Sequence, residues 1–389
     1  MIFTNKKEKD SFHNLRASFA PLRHSAVENH FVFLNTFFLM PEISRKKLAF
    51  FLISSTLFIT FVFYGYQILY TPNILVDRDD KLFIVRSGYT FRNVQKDLAD
   101  GGYVNDLVSF SFLARLMNFD KGIRPGRYFL RRNMTNVAAI KALGSGGQEP
   151  VNVTFTSVRL RRDLAEKITK NIGFSPREFD EALDAFVATN QEGFTKDNIL
   201  TLFIPNTYQV YFNINPEDFI GRMEQEYQKF WNDERKALAQ EIGLTPIEVS
   251  ILASIVQAET AKQDEAPVVA GLYLNRLKKG IALQADPTLK FALGDFTIKR
   301  VLNEHKEVNS PYNTYKYAGL PPGPINVPGI AMIDAVLHYQ KHRYFYMCAK
   351  EDFSGYHNFA NSLEEHNVNA RKYQRALSIE MRKAALKKN

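Results

Sequence analysis

Residues 245–259 read Thr-Pro-Ile-Glu-Val-Ser-Ile-Leu-Ala-Ser-Ile-Val-Gln-Ala-Glu, and the first four set the phase of everything after them. Thr245 serves as an N-cap, Pro246 suits the first helical turn, and Glu248 stands at the third position of a capping box. A helix begun there lines up Leu252, Ile255 and Val256 as an apolar stripe, and Glu259 follows on the same face. A glutamate in that position loses hydration, which raises its pKa towards neutrality. A carboxylic acid that keeps its proton near neutral pH can protonate a glycosidic oxygen. The bland alternative is that Glu259, at the helix end, reaches solvent or pairs with Arg276 or Lys262.

Working outward, helical periodicity predicts further helices over 159–172, 176–188, 216–241, 246–261, 265–279, 330–341 and 366–384, with strands at 151–155 and 343–349. Residues 151–389 therefore read as a larger α+β domain. Between its helices, 281–329 is rich in Pro and Gly and lacks periodicity. A loop of that length is functional or disordered, and its many Tyr, Asn and Thr residues argue against disorder. Upstream, 81–150 reads as a smaller βα unit. It has a strand at 82–85, helices at 90–98, 108–117 and 135–143, a strand at 128–130, and a stop at Gly144-Ser145-Gly146-Gly147. Phe83–Ser87 is echoed seventy residues later by Val153–Ser157, each followed by turn and helix; so common a unit reads as coincidence more readily than as duplication.

Leu48 to Tyr70 holds 23 residues without a charge. At 1.5 Å per residue it spans roughly 35 Å, enough for a hydrocarbon core. Arg45-Lys46-Lys47 precede it and Asp77, Asp79 and Asp80 follow, so the positive-inside rule predicts a single-pass signal anchor in the inner (cytoplasmic) membrane. Residues 1–47 would be a cytoplasmic segment and the remainder extracytoplasmic. Tyr70-Thr71-Pro72-Asn73 is no signal-peptidase site. Met40, followed by PEISRKK, would also make a normal start for such an anchor, so translation from Met1 and from Met40 both stay open.

The chain of 389 residues carries 50 Lys and Arg against 41 Asp and Glu. Residues 1–47 hold eight of those bases and four of the acids, leaving a net +5 over the rest, mild for a nucleic-acid binder. The one cysteine, Cys348, excludes an internal disulfide framework and a Cys-rich zinc site. His357, His366 and Glu365 do not have metal-ligand spacing, and neither metal nor cofactor is expected.

A series of short motifs adds to this reading. Ile255-Val-Gln-Ala-Glu-Thr260, Asn275-Arg276-Leu277, Leu283-Gln-Ala-Asp-Pro-Thr288 and Ser310-Pro-Tyr-Asn-Thr-Tyr315 occur in order. Gly319-Leu-Pro-Pro-Gly-Pro-Ile325, Pro328-Gly329, His357-Asn-Phe359 and Glu365-His366-Asn367 follow. The series resembles the YceG-like family of endolytic murein transglycosylases, and 81–147 resembles that family's membrane-proximal LysM-like subdomain. Two positions depart from the family pattern: Asn206 stands in Pro-Asn-Thr-Tyr where the family has Asp, and Gln257 where many members have Glu.

The resemblance places the catalytic role on Glu259 and makes 151–389 the transglycosylase domain. It implies cleavage within peptidoglycan glycan strands between N-acetylmuramic acid and N-acetylglucosamine, leaving 1,6-anhydro ends. It also implies partners among the peptidoglycan synthases of elongation or division. The loop would then be a saccharide cleft. Gln284, Asn313, Thr314 and Asn326 suit N-acetyl and hydroxyl groups, Tyr312 and Tyr315 could face sugar rings, and His357 would bond substrate or Glu259. Backbone capping within the loop is the competing use of each. Asp286 could open a turn, orient substrate or stabilise oxocarbenium charge, or place a water, which would make the protein a glycoside hydrolase. A silent wall-binding scaffold is the reading from another class.

Overall fold

The computed structural model describes residues 44–77 and 79–386. The expectations for 1–43, including the start at Met40, lie outside the described residues. The chain forms two compact units, 1–67 and 68–389. Helix α1, Arg45–Tyr70, occupies most of the described part of the first. It starts three residues before the expected span, taking Arg45, Lys46 and Lys47 into its first turn. Its 26 residues extend about 39 Å. Its apolar window has a mean hydropathy of 2.0 with none of it buried in protein, so α1 is long and apolar enough to cross a membrane.

In the second unit, two separate hydrophobic cores follow in chain order. The first is built by β1 (Asp80–Val85), α2 (Phe91–Asp100), α3 (Leu107–Leu116), β2 (Gly126–Arg131) and α4 (Asn136–Gly144). β1 and β2 pair antiparallel, Asp80 against Arg131 through Val85 against Gly126. Phe83, Val94, Leu98, Phe110, Tyr128 and Leu130 close over one face of that ribbon. The helices begin where the capping residues stand: Thr90 with Asn93, Asp106, and Thr135. Buried Asn73 ties the ends together, bonding Asn136 Oδ1 at 2.6 Å and both the carbonyl and the N–H of Asp106.

The larger core begins with β3 (Val151–Phe155), whose side chains alternate inward and outward. Helices α5 (Arg161–Thr169) and α6 (Pro176–Thr189) follow. A strand absent from the sequence expectation comes next: β4, Asn206–Val210, pairs antiparallel with β3, and its Tyr208 ring stacks on Phe155 at 5.4 Å. The Pro-Asn-Thr-Tyr motif is thus an edge of this ribbon.

The single helix expected over 216–241 is two, α7 (Pro216–Phe230) and α8 (Asp233–Ile242). Trp231, fully buried, ends the first, and the Asn232 side chain caps the second by accepting from Arg235 N at 2.9 Å. After them comes α9, Pro246–Glu259, with its capping box formed as expected between Thr245 and Glu248. The expected stripe is wider than a stripe: every residue from Val249 to Val256 is buried, because α9 runs through the middle of the core. Against it pack α10 (Ala266–Lys278), α11 (Asp286–Leu293) and α12 (Ile330–Leu337).

The segment 281–329 is therefore not wholly loop, since Asp286-Pro287 opens α11 within it. A hairpin of β5 (Tyr346–Ala349) and β6 (His357–Ala360), with Tyr346 opposite Ala360, is followed by α13 (Leu363–Leu386). Only the first of those two strands is visible in the sequence pattern.

Gly271 marks where α10 touches the chain before the hairpin. A Cβ there would lie 2.4 Å from the Gln340 carbonyl oxygen and 2.7 Å from His342 Nε2. Gly221, in α7, has open space around it. Gly271→Ala should therefore destabilise the protein by about 1–3 kcal/mol, whereas Gly221→Ala should stabilise it by about 0.5–1 kcal/mol. Denaturant unfolding of both variants reads the two signs, and equal effects would contradict the packing described.

Candidate active site

Glu259 occupies the last turn of α9, where the following residue, Thr260, turns the chain into extended geometry. Its side chain enters a cavity of about 390 Å³ walled by α10, the start of α11 and the β5–β6 hairpin. The carboxyl is surrounded by protein yet partly accessible from that cavity. Tyr273, about two turns along the neighbouring α10 and 2 % exposed, donates its hydroxyl to Glu259 Oε1 at 2.9 Å. Burial pushes the Glu259 pKa up to about 7; the Tyr273 hydrogen bond and Lys290 oppose the rise, and the charge of Asp286 adds to it. Burial, and then the neighbouring Glu259, hold the Tyr273 phenol well above its usual pKa, so it stays a donor.

Asp286 lines the same cavity, at the N-terminus of α11, and accepts the Tyr315 hydroxyl at 2.5 Å. Gln284 stands beside it with a left-handed backbone (φ 54°), held there by its N–H to the Thr314 carbonyl at 3.0 Å. His357 lines the cavity from β6. Its Nδ1 meets Glu265 Oε2 at 2.9 Å, and its backbone N–H reaches Glu265 Oε1 at 2.6 Å. Arg276 also lines the cavity, donating from Nε to Phe345 O at 2.6 Å and from Nη1 to the carbonyls of Ala282 and Leu283 and to Gln284 Oε1.

Of the expected site residues, the cavity thus brings together Glu259, Gln284, Asp286 and His357, along with Tyr315. The others stand elsewhere. Asn313 is fully buried and spends both ends of its amide inside the loop: Nδ2 donates to Lys306 O and Val308 O, and Oδ1 accepts from Tyr315 N and Lys316 N. Thr314 is buried against Ala285 N and Thr288 Oγ1. In these two the backbone-capping alternative holds, because no hydrogen-bonding position is left for a ligand at Asn313 and Thr314 faces the interior. The Tyr312 ring packs on Phe291 at 4.7 Å, outside the cavity lining. Asn326 bonds Ser254 O and the Gln257 amide, and lines a second cavity of about 270 Å³.

Two expected contacts also change. Glu259 pairs with neither Arg276 nor Lys262, whose ammonium lies over the Tyr356 ring at 4.9 Å. His357 bonds Glu265, not Glu259. The sequence reading misses Tyr273 and Glu265. Tyr273 is the one tyrosine in the apolar run of α10, which is a usable signal. Glu265, 5 % exposed and just ahead of that helix, gives none.

The YceG-like family profile matches residues 83–372. An endolytic murein transglycosylase of Streptococcus pneumoniae serotype 2 is 26% identical over 342 residues, covering 79% of this chain and 61% of the relative. The chain thus spans about three-fifths of that relative's length. An endolytic murein transglycosylase of Bacillus subtilis is 28% identical over 332 residues, covering 79% of this chain and 90% of the relative. The crystal structure of a yceG-like protein from Listeria monocytogenes, 24% identical, covers 74% of this chain and 98% of its own at a TM-score of 0.47, too loose a superposition to add to the fold. With the family profile covering most of its length, this chain belongs to the YceG-like family.

Proposed function

We propose that this protein is an endolytic peptidoglycan lytic transglycosylase with Glu259 as its single general acid and base. The observation that carries the reading is the Glu259 carboxyl itself, whose pKa is pushed up to about 7 by burial in a cavity open to ligand. The names of the Streptococcus and Bacillus relatives support the reaction class.

In this reading Glu259 donates its proton to the oxygen linking N-acetylmuramic acid to N-acetylglucosamine, and the muramic C1–O bond breaks. The muramic 6-hydroxyl oxygen then bonds C1, and its proton returns to the Glu259 carboxylate. Protons balance without an activated water, so no second free carboxylate is required. Tyr273 steadies the anionic form between the two transfers. Asp286, anchored by Tyr315, is placed to stabilise positive charge developing at C1, and Gln284 and His357 to hold the sugar. The hydrolase alternative would instead have Asp286 place a water. Residues 151–389 form the catalytic domain. The unit over 81–150 serves as a LysM-like wall-binding module, and Leu48–Tyr70 anchors the chain in the inner membrane with its N-terminus cytoplasmic. Peptidoglycan synthases are the proposed partners.

Glu259→Gln should lower glycan cleavage by at least about a hundredfold. Mass spectrometry of the wild-type digest should find muropeptides one water lighter than hydrolytic products. Reducing ends would assign the hydrolase, and unchanged release by the variant would leave the scaffold reading. Since the acid must start protonated, kcat/KM should fall as pH rises through about 7. Tyr273→Phe removes a bond that favours the charged form, and should move that limb to higher pH.

The same carboxyl predicts a stability effect. Its folded pKa is above the unfolded value, so the proton is bound more tightly in the native state. Stability is then lost as pH climbs from about 4.5 to about 7. Glu259→Gln should stabilise the fold above pH 7, by an amount on the order of a few kcal/mol, and should have little effect below pH 4. Urea titrations at the two pH values test this without any substrate.

A further inference from the structure

We propose that the cavity beside Glu259 receives an ionised carboxylate of the glycan on the free edge of Arg276. The site would then prefer glycan bearing that acid to the same glycan with the acid masked. The inference rests on the glycan-cleft reading above and names which substrate the cleft selects.

The acids around the cavity are all engaged. Glu259 accepts from Tyr273 and Asp286 accepts from Tyr315. Glu265 takes both the ring and the backbone N–H of His357. The bases are not. Arg276 lines the cavity and is only 6 % exposed, and among the described residues no carboxylate lies within salt-bridge distance of it. Its Nε and Nη1 are spent on three carbonyls and the Gln284 amide oxygen. Carbonyl dipoles stabilise a guanidinium but do not neutralise it, so a desolvated charge remains without a counter-ion. Among the described residues Nη2 takes no protein acceptor, and it is not sealed from solvent, so it stays reachable from the cavity that Arg276 lines.

The bonds on Nε and Nη1 fix the plane of the guanidinium, and the Tyr346 ring supports it at 5.3 Å. Nη2 is thus offered in one orientation, with little entropy left to lose on binding an anion. Muramic acid carries the matching chemistry. Its lactyl ether ends in a carboxyl that is free in peptide-stripped glycan and amide-linked when a stem peptide is attached. The peptide then supplies carboxylates of its own.

The test is calorimetric binding to the full-length chain carrying Glu259→Gln, in detergent. Two matched pairs are compared: a peptide-free tetrasaccharide of alternating glucosamine and muramic acid against its lactyl methyl ester, and the peptide-bearing tetrasaccharide against its methyl ester. The acid should bind at least about tenfold tighter than its ester, the worth of one charge-assisted hydrogen bond. A preference in the first pair names the lactyl group, and one confined to the second names the stem peptide. Adding Arg276→Gln should abolish the preference, and adding Lys290→Gln should leave it. Equal binding of acid and ester in both pairs, or a preference that follows Lys290, overturns the proposal while leaving the cleft reading intact. Failure of all four ligands to bind overturns the cleft reading itself. The acid–ester comparison decides even where the Arg276 variant does not fold.

Discussion

The hydrogen bond from Tyr273 to Glu259 joins the middle of one core helix to the end of another, and its surroundings meet two opposed demands. The carboxyl must be buried enough to hold a proton near neutral pH, yet supported enough to lose it. Burial comes from α9, which is enclosed on every side over its middle turns. Support comes from one phenol that its own burial keeps protonated. Neither suffices alone: a drier site would lock the acid protonated, and a wetter one would return it to an ordinary carboxylate. The remaining wall groups are arranged around that balance, each acid with a dedicated donor.

Much of the cavity is set by a loop braced through its own hydrogen bonds. Asn313 closes the 306–316 turn with four bonds, and Thr314 links that turn to the start of α11. Through this bracing Gln284 is held in a left-handed conformation and Asp286 is placed at the head of its helix. A loop that resembled a binding surface by composition is therefore largely scaffold, with a few side chains left over for the cavity.

The parts legible in the sequence were those where local signals coincide. The Thr245–Glu248 capping box fixed the phase of α9 and put Glu259 on a buried face. The strand–helix order over 81–150 could be read from glycine stops and alternation. The breaks were less visible. Asn232 followed by Asp233 and Glu234 is a helix-start signal, but the periodicity on either side of Trp231 concealed it. Strands β4 and β6 are short polar segments that gain their conformation from a partner, as edge strands commonly do. At the site, side chains were assigned by what they could bond. Amides and hydroxyls satisfy their own backbone as readily as a sugar, and composition does not tell which. Glu265 and Tyr273 escaped because their roles depend on what the fold brings beside them, Glu259 for Tyr273 and His357 for Glu265, a tertiary fact.

The capping box at the start of α9 has a further consequence at its other end. Helix phase advances about 100° per residue, and the fourteen residues of α9 run about 21 Å. With the first turn pinned by Thr245 and Glu248 and the body enclosed by core, the helix works as a ruler whose last mark is the carboxyl. Adding or removing a single residue anywhere along it would swing Glu259 away from Tyr273 and into packed side chains. Length variation in relatives should therefore collect in the stretches between helices, with α9 kept at constant length even where few of its residues are shared.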